Sequence, residues 1–326
     1  VLYSVFALAE RFGCRFFAHD TEVIPHPAEL SLPDGLDVTE ASPFAYRDLY
    51  WIGTTDPLTA VKLRINGTGL KSGQHIRHLT AEVGGGIGYA GPHFVHTFDL
   101  LLPPEKYFAE HPEYYALIDG KRTAKHLYSQ PCLSNPDVLR IMIEGIRSWL
   151  RDNPEARLVS VSQNDSFVIG SYCTCPACRA VNEEEGAPSG SLIRFVNAVA
   201  EALEPEFPEV FDTLAYQYST QPPKLTHPRH NVAIRMCTGG CSSHPIPDCA
   251  NNAGSADAIR GWSQICRQLY IWDYTTDFAQ YLNPYPNFQT LQDNIRFFRD
   301  HNVCGVFEQG NYNEGLSGEF GELRAY

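Results

Sequence analysis

Short apolar, β-branched runs recur along this chain, separated by longer stretches whose apolar positions repeat at helical spacing. Eight runs read as strands: Phe44–Arg47, Leu63–Asn66, His93–Phe98, Leu158–Ser162, Thr213–Tyr216, Asn231–Met236, Leu269–Trp272 and Val303–Phe307. Helical periodicity fills the gaps, briefly from Pro57 and then over Asp137–Trp149, Ser191–Leu203, Ala256–Arg267 and Leu291–Phe298. Strands alternating with helices fold as parallel sheets, and eight such units point to a closed barrel. The fold class expected is therefore α/β, a (β/α)8 TIM-type barrel over residues 41–326. Residues 1–40 read differently. An amphipathic helix, Leu2–Arg11, ends at Gly13, a short strand Cys14–Phe17 follows, and Pro25, Pro27 and Pro33 mark a linker. This is the pattern of the last part of a small α/β domain, and the chain opens without Met, inside the helix, as a piece of a longer protein would.

The 326 residues suffice for one barrel, and 43% of them are apolar, as in an ordinary globular protein. A net charge of −13 argues against a nucleic-acid partner, whose phosphates would be repelled. No apolar stretch approaches the ~20 residues of a membrane span. The 18 Phe, 17 Tyr and 4 Trp suit a sugar-stacking cleft as well as a large core. Ten cysteines fall partly into clusters, Cys173-x-Cys175-x2-Cys178 and Cys237-x3-Cys241-x7-Cys249. Disulfides and a structural zinc, with a fourth ligand such as Cys241 or His244, both remain open. The sequon Asn66-Gly67-Thr68 is too common a triplet to decide anything.

In parallel barrels the carboxyl ends of the strands display the chemistry. Here those ends carry Arg47, Asn66, His96, Asn164 with Asp165, Tyr216 with Tyr218, Arg235, Trp272 with Asp273 and Tyr274, and Glu308. Each has a bland reading: Arg47 pairing with Asp48 or Glu10, His96 a satisfied core histidine, Asp165 an Asx turn, Trp272 core. Two carboxyl groups across a cleft also do glycosidic chemistry, one protonating the leaving oxygen and the other supporting the oxocarbenium-like centre. A substrate with a 2-acetamido group can supply its own nucleophile, needing an acid, a polar group on the amide and a tyrosine donor. Asn164, Asp165 and Tyr274 are of those types. The glycine-rich Gly84–Gly88 lacks a P-loop lysine, and neither a G-x-S-x-G elbow nor H-E-x-x-H is present.

Several separated motifs carry a resemblance. They are the run His111–Lys121 (HPEYYALIDGK), Cys132–Pro136 (CLSNP), Ser162–Asp165 (SQND) ahead of the clustered cysteines, and Tyr216–Tyr218 (YQY) with Gln221–Pro223 (QPP). From Pro43 onward the chain resembles a bacterial family known as domain of unknown function 4838, placed in glycoside hydrolase family 163, and more distantly the β-hexosaminidases. The resemblance implies a secreted or periplasmic retaining enzyme that cleaves β-linked N-acetylglucosamine in glycans; the residues themselves lead us to expect no cofactor and no catalytic metal. It implies that Arg47 holds sugar hydroxyls, Asn164 and Asp165 fill the place of an Asp-Glu pair, Tyr274 reaches the acetamido oxygen and Glu308 assists. From their positions at the expected strand ends, His96, Tyr216, Trp272 and Asp273 would line the sugar. Asn-Asp in place of Asp-Glu leaves the proton donor open between Asp165 and Glu308. Hydrolysis of uronic-acid or neutral glycans, and a non-catalytic carbohydrate-binding barrel, are the alternatives.

Overall fold

The structure, a computed structural model, describes residues 2–68, 79–166, 168–280, 283 and 285–310. In chain order they form α1 (Leu2–Arg11), β1 (Arg15–Ala18), β2 (Thr21–Val23), β3 (Tyr46–Tyr50), α2 (Pro57–Lys62), β4 (Tyr89–Ala90), α3 (Phe98–Leu101), α4 (Pro104–Tyr107), β5 (Leu117–Ile118) and β6 (Lys121–Arg122). There follow α5 (Pro136–Asp152), β7 (Leu158–Ser160), α6 (Pro176–Glu185), α7 (Ser189–Leu203), β8 (Val210–Ala215), β9 (Val232–Cys237), α8 (Ala253–Ile265), β10 (Gln268–Tyr274), α9 (Phe288–Asp300) and β11 (Val303–Gln309). No helix among the described residues is long and apolar enough to cross a membrane. The fold is mixed α/β, with parallel strands flanked by helices. Two compact units make up the chain: one is Val1–Ile87, Tyr274–Tyr285 and Cys304–Tyr326, the other Gly88–Asp273 and Pro286–Val303.

In the first unit β3 and β11 run parallel, from Gly305 opposite Tyr46 to Gln309 opposite Tyr50. Helix α2 starts where the sequence signals it, with the Asp56 carboxylate accepting the Thr59 amide and Pro57 in the first turn. Its Ala60 and Val61 pack with Ile65 and Leu79 against Leu2 and Phe6 of α1. Glu10 of α1 pairs with Arg64 at 2.5 Å. The strand expected at Leu63–Asn66 is a turn instead. Arg64 takes a left-handed φ of 62° straight after α2, and the Asn66 and Gly67 amides fold back onto the Arg47 carbonyl. Gly67 itself lies so close to β3 that a Cβ would sit 2.5 Å from the Asp48 carboxyl.

The second unit holds five parallel strands in the order β10-β9-β8-β7-β4. Helix α5 leads into β7; Asn135 caps it and Val138, Met142, Ile146 and Leu150 form its buried stripe. The strand expected at His93–Phe98 is also displaced. Pairing with β7 is made by Tyr89 and Ala90, after which Gly91 turns at φ 85° against the Trp149 ring. Residues 93–97 form a loop, and Phe98 opens α3.

Laid flat, five strands would separate β4 from β10 by roughly 19 Å at about 4.8 Å per strand. The side chains show a curled sheet. The Tyr89 hydroxyl on β4 donates to Asp212 on β8 and accepts from Arg235 on β9. Phe94, just after β4, stacks on Trp272 of β10 with centroids 5.4 Å apart.

At the end of α6 the Glu185 side chain is fully buried. Burial pushes its carboxyl up, yet the Thr226 hydroxyl and amide, the Leu225 amide and Arg194 override this and hold it at about 2. A carboxyl depressed on folding contributes stability above its unfolded value and loses it as pH falls towards the folded one. The window here runs from about pH 4.5 down to about 2, and the contribution is roughly 3 kcal/mol. Urea unfolding between neutral pH and pH 2.5 is expected to show wild type losing about 2–3 kcal/mol more than Glu185→Gln.

Candidate functional site

Strand β7 delivers Ser162, Gln163, Asn164 and Asp165 to the carboxyl end of the curled sheet in the second unit. The segment is locked by its own side chains. Gln163 donates to the Tyr216 carbonyl at 2.8 Å and accepts from Ser219 Oγ at 2.6 Å, fixing the turn that follows β8. Gln130 and the Asn164 backbone exchange two bonds of 2.9 Å. The Asn164 amide donates to Asp99 Oδ1 at 2.7 Å and to the Ser129 carbonyl at 3.1 Å, and its oxygen accepts the Asp99 amide at 2.9 Å. Asn164 is therefore an anchor that holds Asp165 in place. Asn164→Ala is expected to cost about 1–3 kcal/mol by leaving those buried partners unmatched, which thermal melting would read.

Asp165 is half-buried and accepts the Tyr216 hydroxyl at 3.3 Å. Burial, with the Asp165 charge beside it, pushes the Tyr216 phenol up, so it stays a donor. His96 is half-buried, in a left-handed backbone conformation with φ 55°, its ring 6.2 Å from that of Tyr216. Burial pushes its imidazole down from the ordinary value, against the Gln163 carbonyl and Asp165. Its Nδ1 lies 2.8 Å from the Gln163 carbonyl, which only accepts, so a neutral ring carries its proton there and presents Nε2 as an acceptor. Trp272 is buried under Phe94, in the same loop as His96. Asp273 follows it and accepts the Thr238 hydroxyl at 2.5 Å.

Asp165, Tyr216 and His96 thus converge, and the second unit also holds Trp272 and Asp273. Arg47, Tyr274 and Glu308 belong to the first unit. The Arg47 guanidinium donates to the Arg64 carbonyl at 2.7 Å and the Phe44 carbonyl at 2.5 Å, and lies over the Tyr3 ring. It joins β3 to α1 and the turn after α2, and Glu10 pairs with Arg64 instead. Glu308 stands opposite Leu49, on the strand face that Arg47 shares, whereas Phe307 stands opposite Asp48 on the other face. Tyr274 packs edge-on against Phe278, with centroids 6.0 Å apart.

Arg235 is not at a strand end. It sits inside β9, 0% exposed, bound to Asp212 at 2.9 Å and to Tyr89. The strand runs on to Cys237, so the rim position belongs to that residue, and Arg235 faces the inner layer with Asp212. Asp212 carries no signal in the sequence because it precedes the apolar run Thr213–Tyr216, whereas β8 itself begins at Val210.

Two groups of residues have the donor chemistry of a metal centre among the described residues. One is Cys132 with Cys173, Cys175 and Cys178, all buried; the other is Cys241, His244 and Cys249, partly exposed. His244 beside Cys241 holds that thiol at about 7. Neither Cys241 nor His244 is the fourth member of the first group. Cys132 is, although it stands 43 residues before Cys175 and alone in the sequence.

Residues 16–326 match the family model described as Domain of unknown function (DUF4838). The chain belongs to that family. Among proteins of curated function none matches it. Of the motifs that carry the resemblance, SQND follows β7, YQY opens the turn after β8, and CLSNP supplies both Cys132 and the cap of α5.

Proposed function

We propose that this chain is a glycoside hydrolase, related to glycoside hydrolase family 163, that cleaves β-linked N-acetylglucosamine in glycans with participation of the substrate's acetamido group. The reading includes a (β/α)8 barrel preceded by the end of a small α/β domain, and a secreted or periplasmic setting. One observation carries it: a carboxylate, Asp165, is held at the carboxyl end of a curled parallel sheet between a tyrosine donor and a neutral histidine. Phe94, in the loop that carries His96, stacks on Trp272 of β10. A carboxylate framed by such donors and acceptors suits a sugar ring, which offers hydroxyls at its edge.

In this mechanism the acetamido carbonyl oxygen attacks C1 as the glycosidic bond breaks, and a carboxylic acid protonates the leaving oxygen. Water then opens the cyclic intermediate with retention. Asp165 is the candidate carboxyl for the acid or the amide-orienting role. Tyr216 restrains it, and His96 Nε2 accepts a sugar hydroxyl. Incubation with a panel of N-glycans and β-N-acetylglucosaminides, read by mass spectrometry, tests the activity. Products cut at N-acetylglucosamine support it. An intact panel, with binding retained, would point to a carbohydrate-binding barrel.

A further inference from the structure

We infer that Cys132, Cys173, Cys175 and Cys178 form a tetrathiolate site for one zinc ion. The four sulfurs lie within 4.8 Å of one another, all on buried residues, with no competing carboxylate or histidine in the group. Zinc–thiolate bonds of about 2.3 Å, tetrahedrally arranged, place the sulfurs about 3.8 Å apart. Cys132 Sγ stands 3.7 Å from Cys175 Sγ and 3.8 Å from Cys178 Sγ. Two disulfides would instead draw the atoms into pairs at about 2 Å.

The surroundings match the charge such a centre carries. Zinc binding to four thiols releases four protons without any change of oxidation state, leaving two net negative charges. The Leu117 amide donates to Cys173 Sγ at 3.3 Å, the Arg122 guanidinium lies 3.7 Å from the same sulfur, and Ser134 Oγ lies 3.1 Å from Cys178 Sγ. Cys175 is the N-cap residue of α6 and Cys178 lies in its first turn, where the helix end favours negative charge. Ala116, Leu117 and Ile118 cover the sulfurs with apolar surface.

The site joins chain segments far apart in sequence. Cys132 lies two residues after Gln130, which clamps the Asn164 backbone. Zinc would tie the segment that carries Cys132 and Gln130 to the one that carries Cys173, Cys175 and Cys178, so its role is structural and its place is beside the candidate site. The assignment stands whether or not the chain cleaves glycans.

Metal analysis of the whole protein, purified without chelators or a histidine tag, tests it. About one zinc per chain is expected, lost in Cys132→Ser and in the Cys175→Ser, Cys178→Ser pair, and kept in Cys241→Ser. Because those variants can unfold, wild type is also stripped and refilled with cobalt(II), whose visible spectrum distinguishes four thiolates in a tetrahedron from other donors. A tetrathiolate cobalt spectrum supports the site. It is overturned by less than about 0.1 metal per chain, by iron in place of zinc, by zinc lost in Cys241→Ser but kept in Cys132→Ser, or by peptide mapping that finds the four cysteines in two disulfides.

Discussion

Asp212→Ala is expected to destabilise the second unit by about 3–5 kcal/mol, enough to unfold a marginally stable protein. Asp212 and Arg235 are 2% and 0% exposed, on neighbouring strands, with their charges 2.9 Å apart. Burial pushes the Asp212 carboxyl up, and the Arg235 guanidinium and the Tyr89 hydroxyl pull against it. Removing the carboxylate leaves a guanidinium in a dry interior, opposite the Tyr270 and Tyr89 rings, whose cation–π attraction does not replace an ion pair. Removing both charges is a different matter. An Asp212→Leu, Arg235→Met double variant is expected to recover most of the loss, since a buried pair contributes little net stability over apolar packing. Urea denaturation of the two single variants and the double one yields the coupling directly. Independent, additive losses would show that the two residues do not act as a pair.

The second large effect is on turnover. Asp165→Asn is expected to lower kcat by about 10²–10⁴-fold with little change in melting temperature. Asparagine has the shape of aspartate and can still accept from Tyr216, so the clamp through Gln130, Asn164 and Asp99 is untouched. What it lacks is the charge and the proton. Tyr216→Phe, by contrast, is expected to act more weakly, because it frees a carboxylate that Asn164 still positions. Pre-steady-state and steady-state hydrolysis of one glycan by the three proteins checks this ranking. Equal activity of Asp165→Asn and wild type would remove Asp165 from the chemistry.

The helices were the most legible part of the sequence. The stripe of α5 from Val138 to Leu150 and the apolar face of α7 repeat often enough to fix their type, and the structure moves their ends by three residues at most. Short strands were less secure. Leu63–Asn66 has the composition of a strand, but α2 ends immediately before it and Gly67 must approach Asp48, which only a turn allows. His93–Phe98 reads as a strand because Phe94, Val95 and Phe98 are apolar, but they are buried from a loop and the start of α3, with Phe94 against Trp272 and Val95 in the core.

The structure brings Asp165, Tyr216 and His96 together; the first two follow β7 and β8, where the sequence puts strand ends, whereas His96 lies in a loop and not at the end of a strand. Arg235 misled because a charge near an apolar run reads as its end, while its partner Asp212 lay hidden in the next strand. Asn164 misled in the opposite sense: its amide is spent on Asp99 and Ser129. Cys132 gave no signal, since ligand spacing is visible only within a cluster and tertiary folding supplied the fourth thiol.

The comparison that bears most directly on the account is the ratio of kcat/KM for an aryl β-N-acetylglucosaminide over the matching aryl β-glucoside, measured on the same preparation. An intramolecular acetamido nucleophile carries an effective molarity of about 10⁵ M or more, so a preference of at least about 10³-fold is predicted. Equal rates on the two substrates would contradict it.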